Sequence, residues 1–174
     1  MRRNVGHIDP SAGGDTSRFA CDSLARWWDN RGRHAWPGAT SILLLCDGGG
    51  SNSSRRHVFE HAPEGLAERA GLEIRVAHYP PHCSKYNPIE HRFFPHVTHA
   101  CRGMLFGSIE IVGEYMARAS TTTGLRTTVQ ILEGEYPTGE KAPKGYKQSM
   151  RIPFDDELPA WNYRAVPRIR EVIS

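Results

Sequence analysis

An acidic residue followed by glycines stands directly after a long apolar run. The run Ser41–Cys46 reads SILLLC, and Asp47 precedes the three glycines at 48–50. A continuous apolar run of this length predicts a strand buried on both faces, as in a parallel sheet. Ligands of such sheets bind beyond the carboxyl ends of the strands, and glycines let a phosphate or a metal ion approach the backbone. Asp47 is therefore a candidate site residue, although an aspartate at this point can also serve only to cap the turn.

A second acid, Glu90, lies in the segment YPPHCSKYNPIEH at residues 79–91. Pro88 predicts the first turn of a helix, where proline is tolerated, so Glu90 falls near a helix N-terminus. A carboxylate in that position often only stabilises the helix dipole. Two acids from consecutive strand–helix connections can also meet at one edge of a sheet. Their oxygens are the ligands that Mg²⁺ or Mn²⁺ takes together with substrate phosphate.

Histidines and cysteines allow two further interpretations. His78 and His82 are four residues apart, as are His57 and His61, and Cys83 follows the first of these pairs. Neither pair has the Cys/His spacing of known structural zinc sites, and the first pair flanks two prolines and so shares no helical face. A zinc-binding, histidine-rich protein stays an open alternative. A thiol nucleophile at Cys83 is weaker still, because no motif supplies an oxyanion hole.

The elements that must position these residues alternate between strand and helix patterns. Strands are predicted at residues 5–8, 41–46 and 72–79. The order strand, helix, strand, helix, strand, helix, helix indicates an α/β fold.

Helix boundaries follow from caps and breakers. The first helix begins at a cap on Asp15 or Thr16 and is expected to end near Gly32. A second helix is predicted over 54–70, with an interruption or restart at Pro63. A third is predicted from Pro88 onward, with Ile89, Phe93, Phe94 and Val97 on one face. A fourth is predicted over 108–122. From Gly134 the chain becomes polar, which predicts an extended arm that closes with Trp161 and Tyr163.

Composition narrows the class of protein. The 174 residues allow one domain with a real core, and the formal charge of +3 permits DNA binding without arguing for it. No stretch approaches the roughly 20 apolar residues of a membrane span, and no apolar run follows the basic N-terminus, so we expect neither a membrane partner nor a signal peptide. Four scattered cysteines predict reduced thiols in a cytoplasmic protein.

Two motifs together resemble those of a known family. SILLLCDGGGSN at 41–52 and AHYPPHCSKYNPIEHRFF at 77–94 are similar to segments of the ISAzo13-type insertion-sequence transposases. That group belongs to the DDE superfamily, which has an RNase H-like catalytic core. Supporting similarity upstream and downstream extends the resemblance over residues 5–139, and the motif SKYNPIEHRFF is long and specific.

The resemblance implies roles for particular residues. Asp47 matches the second catalytic acid of the family and Glu90 the third, which makes both ligands of Mg²⁺ or Mn²⁺. The family's DNA-binding or supporting positions around these two acids correspond in this chain to Asn52, Ser84, Lys85, Asn87 and His91. The implied activity is metal-dependent DNA strand cleavage and transfer, and the implied partners are transposon-end and target DNA and another transposase chain.

The resemblance also implies an incomplete fold. The family's RNase H-like core begins with two strands, the first of which carries the first acid, and this chain matches from about the third strand. Asp9 and Asp15 fall in the wrong region to replace that acid. We therefore expect a partial RNase H-like α/β domain at 1–139 that lacks the first two strands, a polar C-terminal arm at 140–174, and a chain that is inactive alone. A non-catalytic DNA-binding or regulatory transposase remnant is the alternative.

Overall fold

The computed structural model describes residues 4–46, 57–80, 83–139 and 144–168. The chain divides into two compact units, which we describe separately. One consists of Met1–Gly14 and Ser84–Glu135, and the other of Asp15–Cys83 and Tyr136–Ser174. Within the described residues, no helix is long and apolar enough to cross a membrane.

The described elements alternate between strands and helices, as the sequence patterns predict. In chain order they are β1 (Val5–Ile8), α1 (Ser17–Trp27), α2 (Arg33–Ala35), β2 (Ser41–Cys46), α3 (His57–Ala70), β3 (Glu73–His78), α4 (Ile89–Arg92), α5 (Phe94–Ala100), α6 (Ile109–Ala117), β4 (Arg126–Val129), α7 (Tyr146–Ser149) and β5 (Asn162–Ala165). The mixed α/β class predicted from the sequence is thus observed.

The larger unit contains a three-stranded sheet in the order β2-β3-β5. β2 and β3 are parallel, with Ser41 opposite Glu73 and Cys46 opposite His78, so the carboxyl ends of both strands meet at one edge. β5 runs antiparallel to β3. Part of the segment that the sequence predicted as an extended arm is therefore a strand of this sheet, and its Tyr163 is buried. The boundary at residue 139 stays a prediction.

The core of this unit lies between the sheet and two helices. Its buried residues come from α1, α3, the strands and the C-terminal segment: Cys21, Ala25, Leu66, Ala67, Ile74, Val76, Ile152, Tyr163 and Ala165. Ile42, Leu44 and Cys46 of β2 pack against this core. The prediction that β2 is buried on both faces is wrong, because Leu43 and Leu45 alternate to the other face and remain 59% and 46% exposed.

The first helical segment continues beyond its predicted end. Thr16 caps α1 through its side-chain oxygen, as expected. At Trp28–Gly32 the chain forms a π-helical turn and then continues into α2, so Gly32 does not stop the helix. A Cβ on Gly32 would lie 2.4 Å from Cε3 of Trp28, so the glycine is needed for the close approach of that ring.

Pro63 does not interrupt its helix either. α3 is continuous from His57 to Ala70, with Pro63 inside it and among the most deeply buried side chains. Burial of the ring in the core offsets the lost backbone hydrogen bond. The predicted start at residue 54 lies outside the described residues, whereas Gly71 does end the helix, with φ of 68°.

In the smaller unit, β1 and β4 form a parallel pair that joins Val5 to Arg126 and Ile8 to Val129. The sequence patterns did not predict β4. The helix predicted from Pro88 is broken into α4 and α5 at Phe93. Pro95, at the start of α5, is the cause, because it has no N–H for a continuous helix and restricts the residue before it.

The break also separates side chains that were predicted to share one face. Phe93 is buried, whereas Ile89 and Phe94 are exposed. The next helix, α6, is capped by Ser108, where the predicted helix begins, but it ends at Ala117 rather than at residue 122.

Candidate functional site

The strand that precedes Asp47 in the sequence is described as far as its last residue, Cys46. Asp47 and Asn52 lie outside the described residues, but Cys46, the last residue of β2, lies inside them. Cys46 pairs with His78 at the end of β3, and its carbonyl accepts a hydrogen bond from the Tyr79 N–H at 2.8 Å. The strand pairing is therefore maintained up to the residue before Asp47.

His78 connects the carboxyl end of β3 to the C-terminal segment through hydrogen bonds to Trp161. The Trp161 carbonyl accepts the His78 backbone N–H at 3.0 Å and lies 2.8 Å from Nδ1 of the same residue. A carbonyl is only an acceptor, so Nδ1 carries a proton. The sequence suggested only a zinc-ligand role for His78. Its alternation with Ile74 and Val76 was the signal for a buried position on the core face.

Glu90 stands in the first turn of α4, in the smaller unit. Its backbone N–H donates to the Asn87 carbonyl at 3.0 Å, and the Asn87 side-chain oxygen accepts the Ile89 N–H at 3.3 Å. Asn87 thus caps the turn that carries the acid. The Glu90 side chain is half-buried, and no ion pair of the described residues involves it. Its carboxylate oxygens are hard donors of the kind that Mg²⁺ takes, so the residue fits such an ion.

Ser84, Lys85 and His91 belong to the same structural segment. Ser84–Tyr86 forms a 3₁₀ turn, and the Lys85 Nζ lies 5.2 Å from the centroid of the Tyr86 ring. Nε2 of His91 makes a hydrogen bond to the Lys85 carbonyl. His91 therefore joins the 3₁₀ turn to α4, and the Lys85 side chain is exposed.

A buried phenylalanine anchors α4 within its unit. The Phe93 ring, directly after α4, lies so close to the β1 backbone that a Cβ on Gly6 would be 1.9 Å from its Cε2 atom. This contact could not be predicted from the sequence, because nothing in the spacing of residues 6 and 93 indicates it.

The histidine and cysteine alternatives receive no support from a formed cluster. Within the described ranges, no group of three or more His, Cys, Asp or Glu side chains is placed to hold a metal ion. His82 lies outside those ranges. The thiol alternative concerned Cys83, which is partly exposed. At a different cysteine, Cys21, burial raises the pKa of the thiol to about 12, with smaller contributions from Asp22 and Cys46, which disfavours the thiolate there.

The fold and the two motifs define a class of mixed α/β, DDE-type domain, and comparison with known proteins identifies the family. The model of the Rhodopirellula transposase DDE domain matches residues 1–167. The chain belongs to this family of ISAzo13-type DDE transposases. The searches of curated proteins and of solved structures returned no match. DDE transposase domains generally use divalent metal ions and bind DNA.

Proposed function

We propose that this chain contributes two metal-binding acids, Asp47 and Glu90, to a transposase active site of RNase H-like type. The observation that carries the proposal is the family match over residues 1–167, which includes both acid-bearing motifs. Two features of the described residues support it. β2 ends at Cys46, the residue before Asp47, at the carboxyl edge of a parallel strand pair, and Glu90 stands half-buried on a turn capped by Asn87.

In this proposal the two carboxylates hold Mg²⁺ or Mn²⁺. The bound ion would supply Lewis-acid stabilisation of the charge that develops on phosphate oxygens during DNA strand cleavage and transfer. Asn87 and His91 act as positioning residues, because their described hydrogen bonds organise the turn that carries Glu90. Lys85 contacts DNA phosphate as a point charge. The resemblance implies DNA-binding or supporting roles for Asn52 and Ser84 as well.

The resemblance assigns only two of the family's three acids to this chain. We therefore propose that the chain alone binds the metal ion and DNA without cleaving the DNA, and that a further transposase chain is a partner in the active assembly.

The experiment is a nicking assay of the purified chain on transposon-end DNA with Mg²⁺, run beside DNA binding by the same protein. DNA binding without nicking is the expected result. Nicking that Asp47→Ala abolishes would overturn the proposed inactivity and support the assignment of the acid. Nicking that both Asp47→Ala and Glu90→Ala leave intact, or an absence of DNA binding, would overturn the proposed function itself.

A further inference from the structure

The segment that follows Glu90 is basic in composition. Between Glu90 and Glu110 the sequence has two arginines, three histidines and no acid. Among the ion pairs that the structure describes, none involves Arg92 or Arg102. Their charge is therefore not neutralised by a described carboxylate and is available to an anionic partner.

Three of these residues form one ridge. His96, His99 and Arg102 are spaced by three residues along α5 and the turn that follows it. The Arg102 N–H donates to the His99 carbonyl at 3.2 Å, so the helical path continues as far as Arg102. Residues three apart on a helix lie side by side on the same face. His99 and Arg102 are exposed and His96 is partly exposed, whereas Phe93 at the break before α5 is buried.

The ridge leads into an exposed apolar loop. Leu105 is 94% exposed and Phe106 is 48% exposed, and they stand between Gly103 and Gly107. Gly103 has φ of 76°, a conformation that other residues rarely adopt, so the loop leaves the helix by a sharp turn. The adjacent exposed side chains of Leu105 and Phe106 indicate a surface that binds a partner molecule.

We propose that this ridge and loop form a DNA-binding surface in which His96, His99 and Arg102 contact phosphates and Phe106, with Leu105, stacks on unpaired bases. The chemistry of the ridge decides the class of partner, because the Arg102 guanidinium is cationic and the imidazole N–H groups of His96 and His99 can donate to phosphate oxygens. The exposed ring next to it decides the form of DNA, because bases stack on aromatic side chains only where they are unpaired or partly unstacked. The inference rests on the proposed DNA-binding function and adds the location and the preferred form of DNA.

The test measures fluorescence anisotropy with two probes of the same sequence. One is a blunt duplex of about 25 base pairs, and the other carries in addition a 3′ tail of about six unpaired nucleotides. We expect the wild-type chain to prefer the tailed probe. Phe106→Ala should lower affinity for the tailed probe about tenfold and leave blunt-duplex binding nearly unchanged, because only stacking is lost.

Arg102→Ala should behave differently from the loop variant. It should weaken binding of both probes and reduce the slope of log affinity against log salt by about one, because one phosphate contact is lost. Arg31→Ala and Phe154→Ala, which remove an exposed arginine and an exposed aromatic ring from the other unit, are the matched controls and should bind like the wild type.

The outcomes separate this inference from the proposed function. If the wild-type chain binds neither probe, DNA binding itself fails. If the chain binds DNA but Phe106→Ala and Arg102→Ala match their controls, this surface is not the one used and the inference is overturned. If Phe106→Ala leaves the affinity for both DNA probes unchanged but alters the molecular mass of the protein measured by analytical ultracentrifugation, the loop binds a second copy of the chain. That result would likewise overturn the inference.

Discussion

The ring of Phe93 lies against the backbone of Gly6, where a Cβ would come within 1.9 Å of the ring atom Cε2. This contact joins the end of α4, the helix that carries Glu90, to β1. Gly6→Ala should therefore destabilise the protein by about 1–3 kcal/mol, as overpacking of a close contact does. The free energy of unfolding in urea measures it.

A control glycine is available for this prediction. A Cβ on Gly38 would meet nothing within 4 Å, so Gly38→Ala should leave the free energy of unfolding nearly unchanged. Adding Phe93→Leu to Gly6→Ala should recover part of the loss, since the smaller side chain yields space. Equal stability of Gly6→Ala and the wild type would show that the contact between residues 6 and 93 is wrong.

The hydrogen bond of His78 to the Trp161 carbonyl gives a second prediction. His78→Leu removes the Nδ1 donor in a buried position, while the Trp161 carbonyl keeps the bond from the backbone N–H of residue 78. The substitution should therefore cost about 0.5–1.5 kcal/mol in the free energy of unfolding, the net value of one hydrogen bond. His78→Asn, which keeps an N–H donor near the same place, should cost less. Urea unfolding of both variants measures this, with His99→Leu at an exposed position as the control. An Asn variant that is less stable than the Leu variant would contradict the assigned bond.

Glu68 and Arg151 give a prediction about pH. The hydrogen bond from Arg151, with further contributions from Arg168, lowers the pKa of Glu68 below its ordinary value of 4.5. Because the folded-state pKa is the lower one, this stabilisation is present above the unfolded-state pKa and is lost as pH falls through the folded value. Arg151→Gln should raise the pKa of Glu68 toward 4.5, as followed by side-chain NMR titration. An unchanged pKa would disprove the pairing.

Cysteine labelling tests the burial of α1 against the sheet. Because burial raises the pKa of Cys21 to about 12, this thiol should resist iodoacetamide at pH 8 in the folded protein and react after unfolding. Cys101, which is partly exposed, is the internal comparison. Mass spectrometry of the labelled peptides measures both. Labelling of Cys21 as fast as Cys101 in the folded protein would mean that the helix does not cover it.

Much of the fold was predictable because local patterns specify it. The apolar run Ser41–Cys46 and the alternation at Glu73–His78 predicted β2 and β3, and Thr16 predicted the start of α1. The α/β class and the family, which the two motifs indicated, are confirmed by the observed elements and the family match.

Other features depend on tertiary contacts that no local pattern contains. The exposure of Leu43 and Leu45 depends on which face the helices cover, and β5 depends on its pairing with β3. The continuity of α3 through Pro63 depends on burial of that ring in the core. The break before α5 could have been predicted from Pro95, which disfavours a continuous helix. The helical spacing of the apolar residues around it led instead to the prediction of one helix.

The candidate site was predictable to a different degree. Local chemistry made Asp47 and Glu90 only plausible, and the resemblance assigned them. The hydrogen bonds of Asn87 and His91, which organise the turn around Glu90, required the structure. The individual roles of Lys85, Asn87 and His91 stay predictions.

Mn²⁺ binding, measured by electron paramagnetic resonance in the presence of duplex DNA, tests most directly whether Asp47 and Glu90 bind the catalytic metal ion as proposed. Asp47→Asn and Glu90→Gln should each weaken Mn²⁺ binding at least about tenfold, because each removes a charged oxygen ligand. Glu110→Gln is the matched control, since Glu110 is also a first-turn glutamate, and it should bind Mn²⁺ like the wild type. Equal Mn²⁺ affinity in all four proteins would contradict the account.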